Sequence, residues 1–124
     1  MGRIRKMLKR KTNPRLLKLI DLLLSESAKN DAKIWKVVAE RLASRRRGWA
    51  EVSLSKIERY AKEGETVVVP GKVLGGEIKK KVKVAAFSFS ESAKAKISEA
   101  GGEWMKIEDL IRINPKGSGV RILV

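Results

Sequence analysis

ETVVVPGKVLGG, residues 65–76, is the stretch whose reading decides the fold. Thr66, Val67, Val68 and Val69 make a β-branched run of the kind that forms a buried strand. Pro70-Gly71 is expected to stop it, because proline has no N–H to give to a ladder. Lys72 would then stand on a compact loop that carries Val73-Leu74 and closes at Gly75-Gly76. With no Cβ at Gly71, Gly75 and Gly76, another backbone could come close there, a sugar-phosphate backbone included. Plain turn punctuation would use the same residues. A P-loop is excluded, since that motif needs a glycine, four intervening residues and then Gly-Lys-Ser/Thr, and Gly71-Lys72 is followed by Val73 with no upstream glycine at that spacing.

Upstream, two helical patterns precede any strand. Thr12-Asn13-Pro14 signals a helix start, with Asn13 or Thr12 as cap, and Leu16, Leu17, Leu19, Ile20, Leu22, Leu23 and Leu24 recur with helical spacing to about Ala28. Asp31 is expected to cap a second helix over residues 32–44, with Ile34, Val37, Val38 and Leu42 on its stripe and Trp35 and Ala39 on its flank. Arg45-Arg46-Arg47-Gly48-Trp49 follows. Guanidinium forks suit phosphate oxygens, so these arginines are read as an RNA contact, whereas Trp49 is read as core. Residues 50–53 are a short extended piece. Ser53 or Ser55 caps a one-to-two-turn helix through Ile57 and Tyr60 to Lys62, ended by Gly64.

Downstream, Lys79, Lys80, Lys81 and Lys83 interleave with Ile78, Val82 and Val84 to give a basic strand entrance. Residues 82–89 (VKVAAFSF) read as a second strand, with Ala85-Ala86 packed closely against a helix. Ser90 caps a helix over residues 91–100, with Ala93, Ala95 and Ile97 as packing positions and Gly101-Gly102 as the stop. Trp104-Met105 is a short strand, residues 107–113 a short helix and residues 114–119 a turn carrying Lys116. Val120, Ile122, Leu123 and Val124 form a terminal strand expected to be docked. The fold class is therefore α/β, two N-terminal helices followed by short strands alternating with short helices, with basic loops at one end of the strands.

Charge supplies the functional reading. The 124 residues hold 29 Lys+Arg against 14 Asp+Glu, a net charge of +15, and such an excess repels itself unless a polyanion neutralises it. Residues 1–15 carry Arg3, Arg5, Lys6, Lys9, Arg10, Lys11 and Arg15 with no acid and few apolar side chains. They read as a basic arm, residues 1–13, that grips RNA, ahead of one globular RNA-binding domain, residues 14–124. With no Cys and no His, zinc fingers, thiol nucleophiles, imidazole bases and disulfides are excluded, and no cofactor or metal is expected. The absence of an apolar h-region and of a bilayer-length apolar run leads to an expectation of a cytosolic protein without a membrane partner. Duplex-DNA or chromatin binding is the alternative, but neither a groove-reading helix nor a dimer seam is legible.

These residues resemble large-subunit ribosomal protein eighteen of the archaeal and eukaryotic type. The resemblance rests on KTNP at residues 11–14, VPGKVLG at 69–75, Val84-Ala85-Ala86, Phe89-Ser90, Ala93, Lys96-Ile97, AGG at 100–102 and NPKG at 114–117. Ser53 stands where Asn is expected, and Glu77-Ile78 where a further glycine turn is expected; the short length looks more archaeal than eukaryotic. The resemblance implies an irregular β-β-α superhelix like that of ribosomal protein fifteen, and binding to large-subunit ribosomal RNA without enzymatic activity. It also places Gly71, Lys72 and Gly75 at an RNA-facing loop and runs the arm before Pro14 into the RNA. Neighbouring ribosomal proteins are expected as further partners, and no homo-oligomer.

Overall fold

In the computed structural model, which describes residues 13–44 and 49–124, the chain enters its first helix through Asn13. Asn13 Oδ1 accepts from the backbone N–H groups of Arg15 at 3.0 Å and Leu16 at 3.3 Å. Pro14 takes the first helical position, where a missing N–H costs nothing. This helix, α1 (Pro14–Asn30), ends at Asp31, whose backbone is left-handed at φ 51°. Asp31 is therefore the C-terminal cap of α1 and not the N-cap expected for α2 (Lys33–Ala43), which starts from Ala32 with no side-chain cap. Aspartate is among the few non-glycine residues that visit this region readily. The buried stripe of α2 also differs from expectation. Trp35, Val38, Ala39, Leu42 and Ala43 are buried while Val37 is exposed, because the indole, as the largest apolar group, sets which face turns inward.

Five strands, β1 (Ala50–Ser53), β2 (Thr66–Leu74), β3 (Lys83–Phe89), β4 (Glu103–Lys106) and β5 (Val120–Ile122), pair parallel in one sheet. β2 lies at its centre. β3 follows one edge, while the other edge is shared by β5 beside Thr66, Val67 and Val68 and by β1 beside Gly71, Lys72, Val73 and Leu74. The strand does not stop at Pro70-Gly71 as the sequence suggests. Pro70 stands opposite no residue in any of the three ladders, between the reaches of β5 and β1 and inside the register shift against β3, so its missing N–H breaks no pairing. Gly71 continues the strand beside Ala50, and a Cβ there would overlap the Ala50 carbonyl. The backbone that comes close to Gly71 is thus the chain's own. Lys72 belongs to a strand rather than to a compact loop.

Both faces of the sheet are covered. Val68, Ala85 and Phe87 pack with α1, α2 and α5 (Ile107–Ile113), whereas Val67, Val69, Val73, Val84 and Ala86 pack with α3 (Leu54–Tyr60), α4 (Glu91–Glu99) and Ile78 and Val82 of the β2–β3 crossover. That is why the two long strands read as continuous apolar runs. The steps from β1 through β4 go one way across the sheet with their connections on the second face. The step from β4 back to β5 reverses direction and carries α5 on the first face, as right-handed crossovers require.

Ser53 Oγ accepts from Lys56 N–H (3.3 Å) and Ser90 Oγ from Ala93 N–H (3.2 Å), so both hydroxyls cap the helices they precede. α4 ends at Gly101, φ 84°, where Gly101 N–H bonds Ser98 O and Gly102 N–H bonds Ile97 O, both at 3.0 Å, a Schellman close. Ala95, expected to pack, is exposed on the outer side of α4. The last strand is shorter than the apolar run suggests. Leu123 is buried and its N–H reaches Val68 O at 3.1 Å, but Val124 is exposed. The arm assigned to residues 1–13 lies, up to residue 12, outside the described residues.

Candidate nucleic-acid interface

Because the strands run parallel, the loops that lead into them gather at one end of the sheet. Three backbone bonds tie these loops side by side: Gly64 N–H to Lys81 O (2.7 Å), Lys83 N–H to Glu65 O (3.1 Å) and Glu103 N–H to Val82 O (3.0 Å). The turn over residues 114–119 leads into β5 beside Thr66 and so joins the same end. Lys62, Lys79, Lys81, Lys83 and Lys116 are all exposed on this rim. Sequence reading did not name Lys62 as a candidate contact, and it noticed Lys83 only as part of a strand entrance. Lys83 is two residues from Lys81, whereas Lys62 is set beside residues 79–81 only by the parallel topology.

Two acidic residues in the rim loops, Glu63 and Glu65, are occupied elsewhere. Glu65 pairs with Arg121 at 2.9 Å, and Glu63 Oε1 accepts the backbone N–H of Lys81 at 3.0 Å. Lys80 differs from its neighbours, since its ammonium donates to the carbonyls of Glu58 (2.7 Å) and Ala61 (2.9 Å) at the end of α3. That ammonium complements the helix C-terminus. Lys116 rides on a turn anchored from below: Trp35 Nε1–H donates to Pro115 O at 2.6 Å, Asn114 Nδ2–H to Ser118 O at 2.8 Å, and Gly117 sits against Ile34 and Trp35.

Arg15 is turned inward. Its Nε donates to Glu108 Oε2 (2.9 Å), Nη2 to Glu108 Oε1 (3.2 Å) and Nη1 to Phe87 O (2.8 Å), and the guanidinium carbon lies 4.2 Å from the centre of the Phe87 ring. It buckles α1 to α5 and β3. Burial would raise the Glu108 pKa, but the Arg15 hydrogen bond, the backbone bond and the charges of Arg15 and Lys106 outweigh it and hold the carboxyl below its ordinary range. Trp49 packs edge-on against Phe87 with centroids 5.3 Å apart, and its Nε1–H reaches Leu42 O at 3.1 Å, in keeping with the core reading.

The remaining expected contacts are scattered. Lys72 is exposed beside Glu51 and Ser88 toward the C-terminal end of β2, not on the rim. Gly75 and Gly76 lie against Ser92 and Ser55, which precede or open α4 and α3 at the opposite end of the strands. Arg3, Arg5, Lys6, Lys9, Arg10, Lys11, Arg45, Arg46 and Arg47 fall outside the described residues. Among the described residues no group of His, Cys, Asp and Glu could hold a metal ion, and no helix is long and apolar enough to cross a membrane.

Comparison with known proteins is consistent across almost the whole chain. The family described as ribosomal protein 60S L18 and 50S L18e matches residues 3–124. The large ribosomal subunit protein eL18 of Archaeoglobus fulgidus is 69% identical over 93% of this chain and 99% of that protein. Those of Methanoregula boonei and Thermoplasma acidophilum are 59% and 48% identical, each over 91% of this chain and 94% and 95% of their own lengths.

Proposed function

This chain belongs to the family of ribosomal protein 60S L18 and 50S L18e, and we propose that it holds large-subunit ribosomal RNA through its rim of lysines. It is a structural constituent of the large ribosomal subunit, in the cytoplasm, and supports translation. The observation that carries the finer reading is the state of the rim. Among the described residues no carboxylate pairs with the ammonium groups of Lys62, Lys79, Lys81, Lys83 or Lys116, although Glu63 and Glu65 lie within the same loops. An ammonium left without an internal partner is free to displace counterions from a phosphodiester backbone. Lys72, Arg45, Arg46, Arg47 and the basic residues before Pro14 extend this contact, while Arg15 serves the fold. Such contacts set position and register and give no sequence readout of their own. The role assigned is structural, with no catalysed reaction, and neighbouring ribosomal proteins complete the surroundings.

The test is binding to purified Archaeoglobus fulgidus large-subunit ribosomal RNA across a salt series, with duplex DNA as competitor. The logarithm of affinity should fall steeply with the logarithm of salt, and RNA should be preferred at near-physiological ionic strength. Equal or greater affinity for the duplex would overturn the assignment.

A further inference from the structure

The crossover that carries residues 79–81 has no helix or strand of its own, yet three successive backbone N–H groups in it are held by carboxylates. Glu58 Oε2 accepts the N–H of Lys79 at 3.1 Å and Glu58 Oε1 the N–H of Lys80 at 3.1 Å, while Glu63 Oε1 takes the N–H of Lys81 at 3.0 Å. Ile78 and Val82 are buried on either side. Lys80 returns its ammonium to the carbonyls at the end of the same helix that carries Glu58. Carboxylate bonds to backbone N–H groups are among the stronger ones available to a loop. With its backbone fixed and its middle lysine turned in, the segment presents the ammonium groups of Lys79 and Lys81 outward.

We propose that Glu58, assisted by Glu63, is a positioning residue for ribosomal RNA: it spends its negative charge on the backbone of the crossover so that Lys79 and Lys81 meet phosphates already ordered. This rests on the RNA-binding reading of the rim. The sign of the effect sets it apart from a surface charge. A carboxylate that merely faced a polyanion would oppose binding, and its removal from a chain of net charge +15 would tighten the complex. A carboxylate that orders the loop contributes preorganisation, and its removal weakens the complex.

The experiment uses the full chain and purified Archaeoglobus fulgidus large-subunit ribosomal RNA, comparing the unchanged protein with Glu58→Ala, Glu58→Gln and the pair Lys79→Ala with Lys81→Ala. Glu58→Ala should weaken binding about fivefold at fixed salt through lost loop order, with amide exchange at residues 79–81 accelerated. Glu58→Gln, which keeps an acceptor oxygen, should recover part of the loss. The lysine pair should lower the salt slope by about 1.5, two phosphates' worth. Tighter binding by Glu58→Ala, or protected amides in it, would overturn the positioning role while leaving RNA binding intact. An unchanged slope for the lysine pair would also overturn it, by removing the loop from the contact. Failure of the unchanged protein to bind the RNA would instead sink the reading beneath it.

Discussion

The seam between α1 and α5 and the rim that leads into the strands are both rich in cations, and they treat them in opposite ways. At the seam, Glu108 is half-buried and faces the Arg15 guanidinium, so the cation is drawn into a bidentate pair and a carbonyl bond. On the rim, Glu58 and Glu63 meet backbone N–H groups instead, and the ammoniums of Lys79 and Lys81 are left to solvent. The difference teaches that a net charge says how much polyanion a protein tolerates, but the partners of its carboxylates say which cations stay unpaired.

Three changes break or sharpen this contrast. The largest effect belongs to Arg15→Ala, which leaves Glu108 partly buried beside α1 with its partner gone. Loss of a charge-assisted pair of this kind, discounted for its partial exposure, should cost about 2 kcal/mol in denaturant unfolding while leaving the RNA salt slope unchanged. A slope that fell with Arg15→Ala would move this residue from the fold to the interface. Second is the acid response of the seam. The Glu108 pKa is lower in the folded chain than in the unfolded one, so its contribution to stability is present above the unfolded value and lost as pH falls through the folded value. Stability measured along an acid titration should therefore decline there, and Arg15→Ala should flatten that part of the curve. The smallest change in stability, within about 0.5 kcal/mol, is expected for Lys62→Ala with Lys83→Ala, because exposed lysines without partners hold nothing together. Their salt slope should nevertheless drop by about 0.7 to 0.9 for each phosphate released.

The helices were legible because their signals are local. Asn13-Pro14, Ser53, Ser90 and Gly101-Gly102 act through residues two to five positions away, and the structure finds each in its expected role. Misreadings arose where a distant element decides. Pro70-Gly71 looks like a stop until β5 and β1 are seen to divide one edge of β2 and leave a gap at the proline. Asp31 looks like an N-cap until the left-handed turn between two packed helices claims it. Arg15, by sequence only the seventh in a run of basic residues, is separated by 93 positions from the carboxylate it pairs with. Lys80 is 22 positions from Glu58, and no spacing rule links them.

By itself the sequence determined the α/β class, most of the helix ends, the polyanionic class of partner and the family, because composition, capping and short motifs act within a few residues. Only the tertiary structure decided which cations remain available. That selection depends on where each carboxylate comes to rest once the parallel strands have set remote segments side by side.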